Sequence, residues 1–285
     1  MISRLTLKSE SSLGRYNFIT LSPCLIAFGL LVFSAGHSLA QTDKKYTDGY
    51  YRDRDNQNET LVVFVAGLAG EASWRDFTRL MDSDNDFDRI DYFVYHSPQS
   101  LDIEENVRGI KSRLREIGGR YGKIVYVGHS IGGIIIKRWL LLEANAGTKE
   151  QNLPNLVITF GTPLDTDKFS VSMFKRLGAR VFWPAVSNLQ REVFNIDRVA
   201  EINKAWRTAT KQSPLNEVKR VTVFGVEDEI APAANESRSE TTFFIRGNHL
   251  DIISPDTDRA CSWIVIKAVL LNRTSSLYTN PCVLK

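Results

Sequence analysis

The sequence predicts an α/β fold built on a mostly parallel sheet flanked by helices, and three observations carry that prediction. The continuous apolar run at 61–65 reads as a strand covered on both faces, and further strand-like stretches follow at 90–95, 124–127 and 156–160. Between them, apolar residues recur at helical spacing, as with Ile103, Val107, Ile110, Leu114 and Ile117. Strands and helices therefore alternate from Leu61 to Phe160, the pattern of parallel strands joined by right-handed crossovers. The third observation is local: the run KIVYV, 123–127, passes through Gly128-His129-Ser130-Ile131-Gly132 straight into an apolar helical stretch.

Before this pattern begins, residues 1–40 differ in kind. Arg4, Lys8 and Arg15 precede an uncharged stretch, 16–42, whose densest apolar part is 25–33. That is a targeting segment. Ser38-Leu39-Ala40 offers the small residues a signal peptidase reads, so cleavage before Gln41 is expected, and an uncleaved membrane anchor is the alternative. The expected location is exported: periplasmic, secreted or envelope-associated. Pro23 precedes Cys24, which argues against a lipid anchor there. Loss of 1–40 removes three cations and Glu10, so the formal +3 falls to +1. A nearly neutral chain with no basic stripe points away from nucleic acid as a partner.

Residues 41–60 read as a polar lead-in, with the charge run Tyr51-Arg52-Asp53-Arg54-Asp55 taken as solvated. Residues 61–285 read as one α/β domain. After the first strand, Ala66-Gly67-Leu68-Ala69-Gly70 forms a turn without the Lys of a phosphate loop, and Trp74, Phe77, Leu80 and Met81 share the face of a following helix. Residues 134–142 are apolar nearly all round, as in a buried helix. Beyond the strand at 156–160 the alternation stops. Residues 164–220 hold Phe169, Met173, Phe174, Phe182, Trp183, Phe194 and Trp206, and read as a lid or cap, or as ordinary core of two added helices. Strands resume at 221–224 and 242–245, and a final helix is expected over 258–271. Cys261 and Cys282 remain after cleavage; in an exported chain they form either a disulfide tying the tail to the last helix or two free thiols.

The chemistry gathers at strand ends, where ligands collect in such sheets. Ser130, at the sharp turn, needs a base, and the base needs a carboxylate to fix its tautomer. Asp228, after the 221–224 strand, and His249, after the last one, complete the set in chain order. Asp165 is the rival acid, with Glu227 and Glu229 as solvated neighbours. His96 is the rival base, while His37 lies in the targeting segment and His129 points away from its neighbour Ser130. The backbone N–H groups of Leu68 and Ile131 are candidates to hold an oxyanion. The motifs HExxH and Cys-x-x-Cys are missing from the sequence, so neither metal nor cofactor is implied.

VVFVAGLAGEASW (62–74), YVGHSIGGIIIK (126–137), ITFGTP (158–163), GVEDEIAP (225–232) and GNH (247–249) together resemble the α/β-hydrolase superfamily, and within it the lipase-like serine esterases that include GPI inositol-deacylase relatives. The resemblance implies hydrolysis of carboxylic esters through an acyl-enzyme: Ser130 attacks, His249 moves the proton and Asp228 orients His249. It also implies a small-molecule or lipid ester as substrate, with membrane association through the N-terminal segment or the lid. The alternatives are an acyltransferase on the same residues and an inactive binding protein of the same fold. Two departures stand out: Ala66-Gly67 replaces the usual His-Gly, and 41–60 leaves little room for two opening antiparallel strands, so a shortened sheet is expected.

Overall fold

Among the described residues, the short apolar runs form the centre of one eight-stranded sheet. The computed structural model describes residues 51–52, 59–68, 74–98, 101–117, 121–146, 153–164, 196–212, 214–232 and 241–284, all within the unit spanning Tyr46–Lys285. The expected targeting segment at 1–40 and most of the expected cap, at 165–195, lie outside them, as does Asp165. The strands are β1 (Tyr51–Arg52), β2 (Thr60–Val65), β3 (Ile90–Tyr95), β4 (Lys123–His129), β5 (Leu156–Phe160), β6 (Lys219–Gly225), β7 (Thr241–Ile245) and β8 (Val283–Leu284), in the order β1-β3-β2-β4-β5-β6-β7-β8. The six from β2 to β7 are parallel. Their register pairs Val65 with both Tyr95 and Gly128, His129 with Phe160, and Gly225 with Ile245, so the carboxyl ends line one edge of the sheet.

Among the described residues, five α-helices cover the two faces: α1 (Arg75–Ser83), α2 (Ile103–Ile117), α3 (Ile131–Asn145), α4 (Ile196–Ala209) and α5 (Cys261–Leu270). Period-two geometry sends Leu61, Val63 and Val65 to one face, against Val107, Ile134 and Trp206 of α2, α3 and α4. Val62 and Phe64 go to the other, against Trp74, Phe77 and Trp263. Every residue of β3 and β5 is buried, which is why these runs show no alternation. The last helix starts at Cys261 rather than near Asp258, because Ala260 is still extended at ψ 135.

At its opening edge the sheet is short, as expected: among the described residues a single two-residue strand, β1, precedes β2 and pairs antiparallel with β3, while β8 pairs antiparallel with β7. Arg52 within β1 is not solvated as the charge run suggests: it is 5% exposed. Its guanidinium donates to Asp82 Oδ1 at 2.7 Å and to the Phe87 carbonyl at 3.1 Å, with a further short contact to the Ile90 carbonyl. The plane lies 4.5 Å over the Tyr92 ring. A buried charge needs this many partners, and a five-donor planar group can meet them all.

Of the expected cap, α4 is described and packs as part of the body. Val199, Ile202 and Trp206 enter the core. Buried Lys137 on α3 donates to Asn203 Oδ1 at 3.1 Å, and Asn203 Nδ2 donates to the Pro163 carbonyl at 2.9 Å. Glu104 on α2 binds Arg138 at 2.7 Å and Arg198 at 2.5 Å. These ties hold α4 against α2 and α3. At the other end of the chain, Cys261 and Cys282 are joined in a disulfide, with Cα atoms 5.0 Å apart, beside the β7–β8 pair. Among the described residues, no helix is long and apolar enough to cross a membrane.

Candidate active site

β4 runs into α3 with a single residue, Ser130, at the corner. Its backbone sits at φ 53, ψ −126, a conformation that few residues with a side chain adopt and that costs on the order of 1–3 kcal/mol. The Ser130 N–H donates to the Phe160 carbonyl at 2.9 Å, fixing the corner to the end of β5. Two residues on, a Cβ at position 132 would fall 2.3 Å from the Val65 carbonyl oxygen, so the helix can start this close to β2 only with glycine there. The corner lifts a side chain off the carboxyl edge of the sheet while the first turn of α3 points its free N–H groups the same way.

The turn after β2 lies directly against this corner. A Cβ on Gly67 would come within 2.8 Å of Ser130 Cβ. The turn is held from β3: the Ala66 N–H donates to the Tyr95 carbonyl at 2.9 Å, and the Ser97 hydroxyl donates to the Ala66 carbonyl at 2.7 Å. Leu68 and Ile131, the two residues singled out for their N–H groups, are both buried, one in each of these touching turns. The fixed shape of the Ala66-Gly67 turn thus comes from β3 and Ser97, with no histidine in the first position.

Asp228 and His249 meet at the ends of β6 and β7. His249 Nδ1 lies 2.8 Å from Asp228 Oδ2, and both residues are almost fully enclosed. The other carboxylate oxygen, Oδ1, accepts from the N–H groups of Ile230 and Ala231 at 2.9 and 2.8 Å. A carboxylate so surrounded by donors accepts from Nδ1–H, which leaves His249 Nε2 as the proton-accepting nitrogen. Glu227 and Glu229 are exposed, as solvated neighbours. His96 lies buried at the end of β3, beside Ser97. Among the described residues no hydrogen bond joins Ser130 to His249; such contacts often tighten only around a substrate.

Two details tie the pair to the serine corner. Gly161, at φ +49, directly follows the Phe160 carbonyl that anchors Ser130, and a Cβ there would lie 2.9 Å from Asp228 Oδ2 and 3.1 Å from His249 Nδ1. The other is His129, the residue before the serine, whose ring packs against His249. Its ring centroid is 4.6 Å from that of His249, and its Nε2 is 3.0 Å from the His249 carbonyl oxygen. Burial holds His129 well below the usual imidazole range, and the neighbouring His249 adds to the effect. The only sequence signal for it was its place beside the serine.

No family model matches the sequence. Two curated proteins described as probable DNA-directed RNA polymerase subunit delta, from Lactococcus lactis subsp. cremoris and subsp. lactis, are 28% identical over 86 residues and 29% identical over 83. The chain spans about two-fifths of the length of these curated relatives, matching 42% and 41% of them with 30% and 29% of its own residues. Among solved structures, the lipase BlEst2 of Bacillus licheniformis is similar with a TM-score of 0.54 at 17% identity, over 79% of this chain and 99% of that one. A membrane phospholipase A described as a bacterial virulence factor gives 0.52 at 12% identity, over 87% and 96%. A metagenomic carboxyl esterase gives 0.51 at 12% identity, over 77% of each chain. The chain has the α/β-hydrolase fold. Within the α/β-hydrolase sheet, the described site occupies the ends of β2, β4, β5, β6 and β7 on a single edge.

Proposed function

We propose that this chain is a serine hydrolase that cleaves carboxylic esters through an acyl-enzyme on Ser130. The observation that carries the reading is the buried Asp228–His249 pair, packed on Gly161 next to the carbonyl that holds the strained Ser130 corner. In the reaction, His249 Nε2 takes the Ser130 proton as Oγ attacks the ester carbonyl. The N–H groups of Leu68 and Ile131 receive the oxyanion, and the imidazolium, stabilised by Asp228, returns its proton to the leaving alcohol. Water then adds to the acyl carbon as His249 takes its proton; the bond to Ser130 Oγ breaks, His249 returns the proton to Oγ, and the acyl group leaves as the carboxylic acid.

Support from outside the chain is of the same kind: the similar folds include a lipase, a phospholipase A and a carboxyl esterase. An apolar acyl chain or a lipid ester is the substrate class we favour. The Cys261–Cys282 disulfide fits an exported protein, since a reducing cytosol keeps such pairs open. Steady-state hydrolysis of p-nitrophenyl butyrate tests the reading. Ser130→Ala is expected to lower kcat by at least about a thousandfold, whereas a variant hydrolysing the ester at the wild-type rate would remove Ser130 from the reaction.

A further inference from the structure

His129 precedes the proposed nucleophile by one residue, yet its side chain belongs to the loop that carries His249. A carbonyl oxygen only accepts, so at 3.0 Å from the His249 carbonyl the Nε2 of His129 carries the proton and donates it. The ring is enclosed, with Trp74 edge-on at 6.5 Å on one side and the His249 ring at 4.6 Å on another. A neutral imidazole with its proton on Nε2 has a bare Nδ1. That atom is buried, has no hydrogen-bond partner among the described residues, and faces the turn after β2, where a Cβ on Gly67 would lie 3.4 Å from it. One ring therefore touches every part of the site: the serine through the chain, the loop of the base through a hydrogen bond, and the turn that carries Leu68 through packing.

The loop itself explains why such a tie matters. Its turn is shaped locally, by Asn248 Oδ1 accepting from Leu250 and Asp251 and by Asp251 Oδ2 accepting from Asn248. Those bonds set its curvature without fastening it to the serine strand. The bond from His129 joins the main chain at His249 to β4, 120 residues away in sequence. We propose that His129 is a positioning residue, one that locks the backbone of His249 so that its ring stays against Asp228 with Nε2 free for the Ser130 proton. This rests on the hydrolase reading of Ser130, Asp228 and His249. A neutral donor also suits the chemistry better than a cation would, because His249 becomes an imidazolium during each turnover and a second charge at this distance would oppose it.

Three measurements on the full chain test the role: the rate of labelling by a fluorophosphonate, kcat and KM on p-nitrophenyl butyrate, and the thermal midpoint. His129→Leu keeps the bulk and removes the donor; kcat and the labelling rate are expected to fall about tenfold with KM within about twofold. His129→Gln, whose Nε2 can reach the same carbonyl, is expected to recover kcat to within about threefold of wild type. A folded Leu variant with wild-type kcat, or a Gln variant that falls as far as Leu, would overturn the proposal. Nitrogen-15 NMR of the wild-type histidine rings needs no variant to fold: it should show His129 with a protonated Nε2 and a bare Nδ1, and the opposite tautomer would also overturn it. If the wild-type chain does not label, the hydrolase reading itself fails. If it labels and the Leu variant labels equally, only the role of His129 is lost.

Discussion

Gly161 sits where the serine corner and the acid–base pair share a wall, at φ +49 and with Asp228 and His249 both within contact of a would-be Cβ. Gly161→Ala must relieve both the dihedral and the overlap by moving the Asp228–His249 pair. It is expected to cost about 1–2 kcal/mol in urea denaturation and to lower kcat on p-nitrophenyl butyrate about tenfold or more, with a smaller change in KM. His129 gives a pH prediction. Its protonation is depressed in the folded chain by burial first and by His249 second, so the unfolded state takes up the proton first. Its effect on stability is therefore absent above the ordinary histidine range and grows as pH falls through it, with a limiting slope of about 1.4 kcal/mol per pH unit for one proton. Urea midpoints at pH 8 and pH 5 should separate more in wild type than in His129→Gln, and equal separations would contradict this. A turn motif pointed to Ser130, which sits at the β4–α3 corner, and the order of strand ends pointed to Asp228 and His249, whose side chains are 2.8 Å apart. The bond from His129 to the His249 carbonyl could not be read from the sequence, since neither residue carries a local mark of a contact spanning 120 positions.

Among the elements, the parallel strands were legible because burial on both faces leaves runs dominated by apolar residues, unbroken over Leu61–Val65 of β2 and interrupted only by Asp91 in β3 and Thr159 in β5. The edge strands were not. β1 and β8 have two residues each, too few for any period to register, and β1 lies in a charge run that looks solvated. Besides its backbone pairing with β3, β1 is held by Arg52, whose partners Asp82, Phe87 and Ile90 lie 30 or more positions along the chain. Arg52→Met keeps the length and removes the guanidinium donor from all three acceptors, while Asp82 keeps the Tyr92 hydroxyl at 3.0 Å. Because Asp82 is 17% exposed, water recovers part of the loss, and a cost of about 2–3 kcal/mol in urea denaturation is expected; a change under about 0.5 kcal/mol would show that the guanidinium is dispensable. The described part of the expected cap turned out to be core, with Trp206 and Ile202 inside and Lys137 and Asn203 bonded to each other. Aromatic content alone could not tell a cover from a wall, because both bury rings.

Across the whole molecule, the sheet register brings the ends of β2 and β4 to β7 to one edge, so residues separated by more than a hundred positions reach one place. That convergence was legible as a fold class from the alternation of strands and helices, whereas the exact fit of Gly67 and Gly161 against their neighbours depends on coordinates alone. The disulfide joins α5 to the tail, its cysteines 21 positions apart, with Cys282 next to the β8 residue that pairs with Ile245 at the end of β7. Replacing both Cys261 and Cys282 by Ser should lower stability by about 3 kcal/mol on the loop-entropy account while leaving kcat within about twofold; a large loss of kcat at unchanged stability would place the tail in the site instead. The central claim is that Ser130 is made reactive by His249 and Asp228 together. Its most direct measurement is fluorophosphonate labelling of the wild-type chain followed by peptide mapping, beside Ser130→Ala, His249→Ala and Asp228→Asn. The account predicts one phosphonylated residue, Ser130, no label in Ser130→Ala, and labelling slowed by at least about a hundredfold in the other two. Label on a different residue, or undiminished labelling without His249, would contradict it.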